Sequence, residues 1–322
     1  MPTPTRCLLL ALALLSGFAA ACGPSAPAAD RNAPVAGPPA PDAGKADDGP
    51  GTWSPPFWRI ETAGQPAYLL GTLADGVNET DGLTPTVLSA FRAANLVVAD
   101  FDRLAPSADT AVLNQVLALR TLPPNESLRA KLPTAAFDAL LARFRNRPDL
   151  GADDEKQLEF ELNGTQPWAV ATLLNRMLAG TTTMPTAHWL LTDAALRKVS
   201  LDYLEDALVS YRRMHDLPYD GWIASIRRAL DSPKAVASEH AAVARAWKSG
   251  DLAELAAWRA ARAGRAPLHD QRLVQERIAQ WLTTLPSQIT RGAFIIVDVE
   301  ALVGPDNLRD RLTTAGYTLT RE

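Results

Sequence analysis

The sequence predicts an α/β (α+β) protein in which a central β-sheet is split along the chain by a long helical insertion. Two short apolar runs stand near the ends of the folded region, AYLLGTL at residues 67–73 and FIIVDV at residues 294–299. Runs of this kind are typical of strands buried on both faces of a sheet. Between residues 110 and 281, by contrast, most segments carry apolar residues at three- and four-residue spacing, which predicts helices.

The first part of the core is predicted as strand, helix and strand. Thr84 fits an N-cap, and Val87, Leu88 and Phe91 share one face of the helix that follows. A strand–helix–strand unit of this length predicts parallel pairing with a right-handed crossover. In order, we predict an edge strand at 57–61, a turn at 64–66, a strand at 68–73, a helix at 85–94 and a strand at 96–102.

The insertion and the C-terminal part follow from the same patterns. Helical spacing is clearest at residues 135–145, 168–179, 189–198, 219–229 and 238–248. Residues 199–204 form a short strand candidate between them. The chain then returns to β structure, with predicted strands at 294–299 and 317–319 around a helix at 308–315.

The chain divides into an export signal at residues 1–21, a tether at 22–52 and one folded domain at 53–322. Arg6 precedes an apolar stretch that is too short to span a bilayer. Cys22 follows a run of small residues, and a cysteine directly after the cleavage point marks a lipoprotein signal whose thiol is acylated. Ala19 stands where leucine is usual, so plain secretion is the alternative. Cys22 would be the only cysteine of the mature chain, which excludes an internal disulfide.

The tether consists mainly of proline, alanine, glycine and aspartate, without an aromatic residue, leucine or isoleucine between residues 23 and 51. Such a composition cannot bury enough apolar area to offset the entropy of ordering. Its prolines keep it extended, with a reach of about 60–90 Å. The net charge of −4 and a pI near 5.7 argue against a nucleic acid as partner.

Several motifs together resemble the TraB/GumN group, which is related to the Tiki metalloproteases. The family's first strand has the form YLLGTxH and its second VGxxHLxGPDGL, and this chain has YLLGTLA at residues 68–74 and VDVEALVGPDNL at 297–308. Further matches are PWA at 167–169, WKSGDL at 247–252 and AGY at 315–317. The resemblance runs from about residue 57 to 319 and implies a TraB/GumN-like fold. In both strand motifs it places alanine, Ala74 and Ala301, where the family has histidine.

The resemblance also implies a degenerate site. In the related metalloproteases two strand-end histidines and an acid are thought to hold a divalent metal, which activates water at an open coordination position. Asp100, Asp102, Glu205 and Arg277 match vestiges of the family's polar residues. The family's aspartate in its GxDxxL element corresponds to Ala187, and the asparagine of its RNxxW element is lost. Alanine has no lone pair with which to bind a metal.

A remodelled metal site is the alternative. Asp75 and Glu300 stand beside the two alanines and, with Asp100, could supply oxygen ligands for Mn²⁺, Mg²⁺ or Ca²⁺. A shift of one residue along an extended strand turns a side chain to the opposite face, which argues against it. The histidines, at positions 188, 215, 240 and 269, are scattered without metal-ligand spacing and are predicted to pack or face solvent.

We therefore expect a membrane-anchored, non-catalytic protein with a binding role in the bacterial envelope and without a cofactor. A peptide or protein ligand is expected, because the enzymatic relatives act on polypeptides. One alternative is a divalent-metal-dependent hydrolase, in practice a peptidase, with carboxylate ligands. The other is a structural envelope protein. Gly23, rather than aspartate, follows Cys22, which favours the outer membrane, with the domain in the periplasm or at the cell surface.

Overall fold

The computed structural model describes residues 53–74, 82–145, 155–180 and 185–322, so that Cys22 and Asp75 lie outside it. Within these ranges one mixed sheet has the order β4-β3-β5-β2-β1-β6. Strands β4, β3, β5 and β2 run parallel, whereas β1 is antiparallel to both of its neighbours. This confirms the predicted α/β (α+β) class. The strands are β1 (Phe57–Ile60), β2 (Ala67–Thr72), β3 (Leu96–Phe101), β4 (Ser200–Glu205), β5 (Phe294–Asp298) and β6 (Leu319–Arg321).

Helices fill most of the chain between β3 and β5, as the apolar spacing predicts. The first helices are α1 (Pro85–Ala93), α2 (Ala105–Ala108), α3 (Thr110–Arg120), α4 (Leu128–Lys131), α5 (Thr134–Arg145), α6 (Glu155–Asn163), α7 (Pro167–Leu178) and α8 (Thr186–Leu196). After β4 come α9 (Ala207–His215), α10 (Tyr219–Asp231), α11 (Pro233–Ser249), α12 (Leu252–Arg265), α13 (Pro267–Asp270), α14 (Glu276–Trp281), α15 (Leu285–Thr290) and α16 (Leu308–Thr314). No helix of the described ranges is long and apolar enough to cross a membrane.

Strand β1 is not at the edge of the sheet, and this prediction was wrong. Strand β6 pairs with its outer side, with Trp58 opposite Arg321 and Ile60 opposite Leu319. The closing strand lies two residues further along the chain than predicted, at Leu319–Arg321, and in that position it pairs with β1. The backbone groups of β1 are therefore paired on both sides, and β6 becomes the edge strand.

Strands β2 and β3 are parallel but not neighbours, since β5 lies between them. Leu70 and Val98 both pair with β5, at Ile296 and Ile295. The prediction of parallel strands is confirmed, but their direct pairing was wrong. The reason is that β5 is apolar on both faces, with its first four residues buried, and it therefore occupies the centre of the sheet. The C-terminal part of the chain thus completes a sheet that the N-terminal part begins.

The sheet separates two apolar cores, and a third lies within the insertion. Alternate residues of β5 enter different cores, Phe294 and Ile296 on one face and Ile295 and Val297 on the other. Helices α1, α8 and α11 cover the first face, and α14, α15 and α16 cover the second. The third core is formed by helices α4 to α7 and α10. The insertion is therefore a packed helical body that adjoins the sheet.

Strand β5 ends at Asp298, one residue earlier than predicted, and residues Val299–Leu302 form a 3₁₀ turn. The carboxylate of Asp298 accepts a hydrogen bond of 3.0 Å from the backbone N–H of Glu300, which caps this turn. Ala301 therefore lies in a helical turn and not in extended chain. Glu300 and Ala301 are therefore not held on opposite faces by the alternation of an extended strand.

Candidate functional site

The guanidinium group of Arg277 joins two acids at the carboxyl ends of neighbouring parallel strands. Asp100 lies near the end of β3, and Glu205 is the last residue of β4. Arg277, on α14, donates from Nη2 to Asp100 Oδ2 at 3.1 Å and from Nε to Glu205 Oε1 at 2.8 Å. Both acids are buried. Three of the four vestigial residues are therefore brought together, at the edge where α/β folds place their sites.

Other donors saturate the same two carboxylates. Arg103 Nη2 contacts both oxygens of Asp100 at 2.9 Å. Trp281 Nε1 donates to Glu205 Oε1 and Ser210 Oγ donates to Glu205 Oε2, each at 2.7 Å. We call Asp100, Glu205, Arg103 and Arg277 the arginine–carboxylate cluster. Each oxygen of its two acids accepts at least one hydrogen bond, as buried charges require.

The charges in this cluster stabilise one another. Burial works to lower the pKa of Arg277, but the net direction is upward, because Asp100 and Glu205 lie beside it and accept its hydrogen bonds. Its guanidinium also lies 4.7 Å from the ring centre of Trp281, one helical turn along α14. Arg277 is therefore held as a fixed cation between the strand ends.

Asp102, the fourth vestigial residue, has a local structural role. Its Oδ1 accepts from the backbone N–H groups of Leu104 and Ala105, each at 2.9 Å. Burial first, and then the charge and hydrogen bond of Asp102, raise the pKa of Tyr203. Asp102 therefore turns the chain after β3 and does not join the arginine–carboxylate cluster.

The residues of the alternative metal site do not converge in the part of the site that the structure describes. Ala74 is exposed beyond the end of β2, and Ala301 is buried in the 3₁₀ turn. Glu300 forms an ion pair with Arg262, whereas Asp100 is held by Arg103 and Arg277. Asp75 lies outside the described ranges.

The donor set available in the described residues does not fit a divalent metal. No group of three or more histidines, cysteines, aspartates or glutamates is placed there to hold one. The strand-end oxygens point to guanidinium groups instead, and a metal would compete with these cations for the same lone pairs. The arrangement can fix charges and bind a polar group, but these residues leave no open coordination position at which to activate water.

Asp298 lies beside the cluster and is perturbed by it. It is opposite Thr72 of β2, and Thr72 Oγ1 donates to Val297 O at 3.3 Å. Burial and, after it, the negative charge of Asp100 raise the pKa of Asp298 from 3.8 to about 6. Folding therefore favours the protonated form of Asp298.

Packing fixes the environment of two further residues. Ala187, which by resemblance corresponds to a family aspartate, is a core residue of α8. Arg259, in the arginine-rich part of α12, is not solvated. Arg259 is 2% exposed, forms an ion pair of 3.1 Å with Asp270 and donates to Val303 O. It holds the loop after the 3₁₀ turn.

The sequence analysis missed the partners that complete the cluster, namely Arg103, Ser210 and Trp281. A signal existed for two of them. Arg103 follows Asp100 by three residues, and Trp281 follows Arg277 by four, which places it on the same side of a helix. Nothing in the spacing points to Ser210, whose hydroxyl reaches Glu205 from the helix that directly follows β4.

Replacing Arg277 by methionine should destabilise the fold by about 3–5 kcal/mol, because it leaves two buried carboxylates without their shared counter-charge. Urea denaturation followed by circular dichroism measures the change. The matched control is Arg272→Met, in the preceding turn, where 55% of the side chain is exposed. We expect that variant to lie within about 0.5 kcal/mol of the parent. Equal effects for the two variants would contradict a structural role of the cluster.

Asp298 should reduce stability at neutral pH. Below pH 3.8 the carboxyl group of Asp298 is protonated in both the folded and the unfolded state. Between pH 3.8 and about 6 the folded state binds more protons than the unfolded state, so stability falls as the pH rises through this window. Asp298→Asn should raise the free energy of unfolding by on the order of 1–3 kcal/mol above about pH 7 and change little below about pH 4. Asp306→Asn, at an exposed position of the next loop, is the control. A pH-independent effect of Asp298→Asn would show that its pKa is not raised.

Comparison with known proteins identifies the family. A sequence profile described as the TraB/PrgY/gumN family matches residues 56–321, which is nearly the whole described region. No match was found among curated proteins or among solved structures. The matched range includes all six strands and the arginine–carboxylate cluster. The chain therefore belongs to the TraB/PrgY/gumN family.

Proposed function

We propose that this protein is a non-catalytic member of the TraB/PrgY/gumN family that binds a ligand in the bacterial envelope. The observation that carries the proposal is the arginine–carboxylate cluster. Its acids, Asp100 and Glu205, stand at the strand ends where a hydrolytic relative would need free ligand oxygens. Here these oxygens accept hydrogen bonds from Arg103 and Arg277.

The two alanines support the same conclusion. By resemblance, Ala74 and Ala301 occupy the positions of the histidines that are thought to bind metal in the related metalloproteases. Neither side chain offers a lone pair. A hydrolase with carboxylate ligands would need Asp100 and Glu300 to face one ion, whereas each is paired with a different arginine. No observation favours this alternative.

The binding role follows from what the fold retains. The carboxyl ends of β3 and β4 face helices of the insertion, and such an edge is where α/β proteins bind ligands. A peptide or protein is the proposed class of ligand, because the enzymatic relatives act on polypeptides.

We also propose that acylated Cys22 anchors the protein. The pattern of an export signal at the N-terminus, the small residues before Cys22 and the proline-rich composition after it support this. A single acyl chain binds membranes only marginally, and the two or three chains of a bacterial lipoprotein would hold the domain stably. Gly23 favours the outer membrane.

The non-catalytic proposal predicts that the purified chain retains no stoichiometric Mn²⁺ or Zn²⁺ after dialysis and cleaves no peptide. Elemental analysis and a mixed-peptide hydrolysis assay measure both quantities. Asp100→Asn, which keeps the shape of the side chain, is the control for any activity seen. One metal ion per chain, with peptidase activity that is lost in Asp100→Asn, would overturn the proposal.

The anchor predicts that labelled palmitate is incorporated in cells and that the protein sediments with membranes. Cys22→Ser should abolish both, because the thiol is the acylation site, whereas Cys7→Ser should leave both unchanged. Incorporation of label into Cys22→Ser, or a native protein found wholly in the soluble fraction, would contradict a lipid anchor at this residue.

A further inference from the structure

Helices α13 and α14 belong to one continuous helical segment, residues 267–281, with a π-helical turn at Gln271–Gln275 between them. Arg277 of the arginine–carboxylate cluster lies in the last part of this segment, and His269 lies in its first turn. The two residues are about 12 Å apart along the helix axis. Short π-helical turns inside helices are frequent at functional sites. A change in the packing of His269 can therefore reach Arg277 through the backbone of a single segment.

His269 packs closely on helix α10 of the insertion. Its ring centre lies 4.2 Å from the ring centre of Trp222. Its Nε2 atom lies so close to Gly221 that a Cβ atom built on this glycine would be 2.5 Å from it. Nε2 is buried, and none of the described residues forms a hydrogen bond with it. The absence of a side chain at position 221 is therefore what allows the imidazole ring to reach α10.

This contact favours the neutral imidazole ring. In neutral histidine the proton can lie on Nδ1, so that Nε2 turns a lone pair toward the backbone of Gly221. A protonated ring carries an N–H group at both nitrogens, and the second donor would be buried against α10 without an acceptor, which costs free energy. Burial and, after it, the charge of Arg262 lower the pKa of His269 from its ordinary value of 6.5.

The charged groups that surround His269 come from three elements. Helix α12 contributes Arg259 and Arg262, α13 contributes Asp270 and the 3₁₀ turn contributes Glu300, and all four line a cavity of about 10 Å³ together with His269. Arg259 is paired with Asp270, and Arg262 with Glu300. Helix α10 faces the ring with the glycine and the tryptophan described above, which carry no charge. Because both acids of the cavity are already paired, neither is available as the counter-charge of a protonated His269.

From this geometry we infer that His269 is a pH-sensitive latch between α10 and the helical segment that carries Arg277. Neutral His269 holds the segment on the insertion, and a proton on Nε2 breaks the contact. Release frees the first turn of the segment and loosens the hold of Arg277 on the strand-end acids. Because the pKa of His269 is lowered by folding, the contact is intact above pH 6.5 and is lost as the pH falls through the pKa of the folded state. The latch does not depend on which ligand the protein binds.

Hydrogen exchange of the full-length chain, measured by mass spectrometry from about pH 7.5 to about pH 5 and corrected for the intrinsic rates, tests the inference. We expect the protection of residues 219–231 and 267–281 to fall by up to about tenfold per pH unit, because opening takes up one proton. His269→Gln has a polar side chain that takes up no proton, so protection of both segments should no longer depend on pH. His215→Gln, in α9, is the matched control and should behave like the parent.

A second pair of variants tests the contact without removing the histidine. Gly221→Ala places a methyl group against Nε2, so residues 267–281 should be weakly protected already at neutral pH. Gly264→Ala, in α12, has nothing within 4 Å of the added methyl group and should not lower protection.

Three results would each overturn the inference. They are protection of both segments that does not change with pH in the parent, a pH dependence that persists in His269→Gln, and parent-like protection of Gly221→Ala at neutral pH. The third keeps the test decisive if His269→Gln does not fold. All three leave the non-catalytic proposal standing, whereas metal-dependent peptide cleavage would overturn that proposal without bearing on the latch.

Discussion

The ion pairs of Arg277 with Asp100 and Glu205 are the constraint on which the centre of this structure depends. They join α14, at the end of a helical insertion of about 170 residues, to the ends of two parallel strands. A buried carboxylate is tolerated only where cations and hydrogen-bond donors surround it. Because Trp281 and Ser210 complete the shell of Glu205, α9 and α14 must both return to the same strand ends. The cluster thus sets where the insertion meets the sheet.

This constraint also directs the chemistry of the site. Carboxylates at the ends of parallel strands are suited to binding a metal, and arginine is the residue best able to occupy their lone pairs permanently. Arg103 completes the cluster, since its Nη2 donates to both oxygens of Asp100. The charges of the two strand-end acids are therefore balanced by arginine side chains within the site.

Features of the fold that depend on neighbouring residues could be predicted from the sequence. The cap at Thr84, the apolar strand β5 and the helical spacing of the insertion each depend on neighbouring residues, and the structure confirms them. Pairings between distant segments were not predictable. Strand β6 covers β1 only because the chain end reaches it, and β5 separates β2 from β3 after a connection of nearly 200 residues. The burial of Arg259 depends on a distant segment in the same way, since it donates to Val303 O in the loop beyond β5.

In the candidate site, likewise, the residues could be named from local motifs but their contacts could not. The resemblance named Asp100, Asp102, Glu205 and Arg277 as one set, of which the structure brings three together. The hydrogen bonds among them were not predictable, because they depend on how α14 docks. Anomalous X-ray scattering from crystals soaked in Mn²⁺ tests the central claim most directly. Our account predicts no ordered Mn²⁺ at Asp100 and Glu205, with their oxygens still bonded to Arg103 and Arg277. A manganese peak within about 2.6 Å of oxygens from both acids, with the arginines displaced, would contradict it.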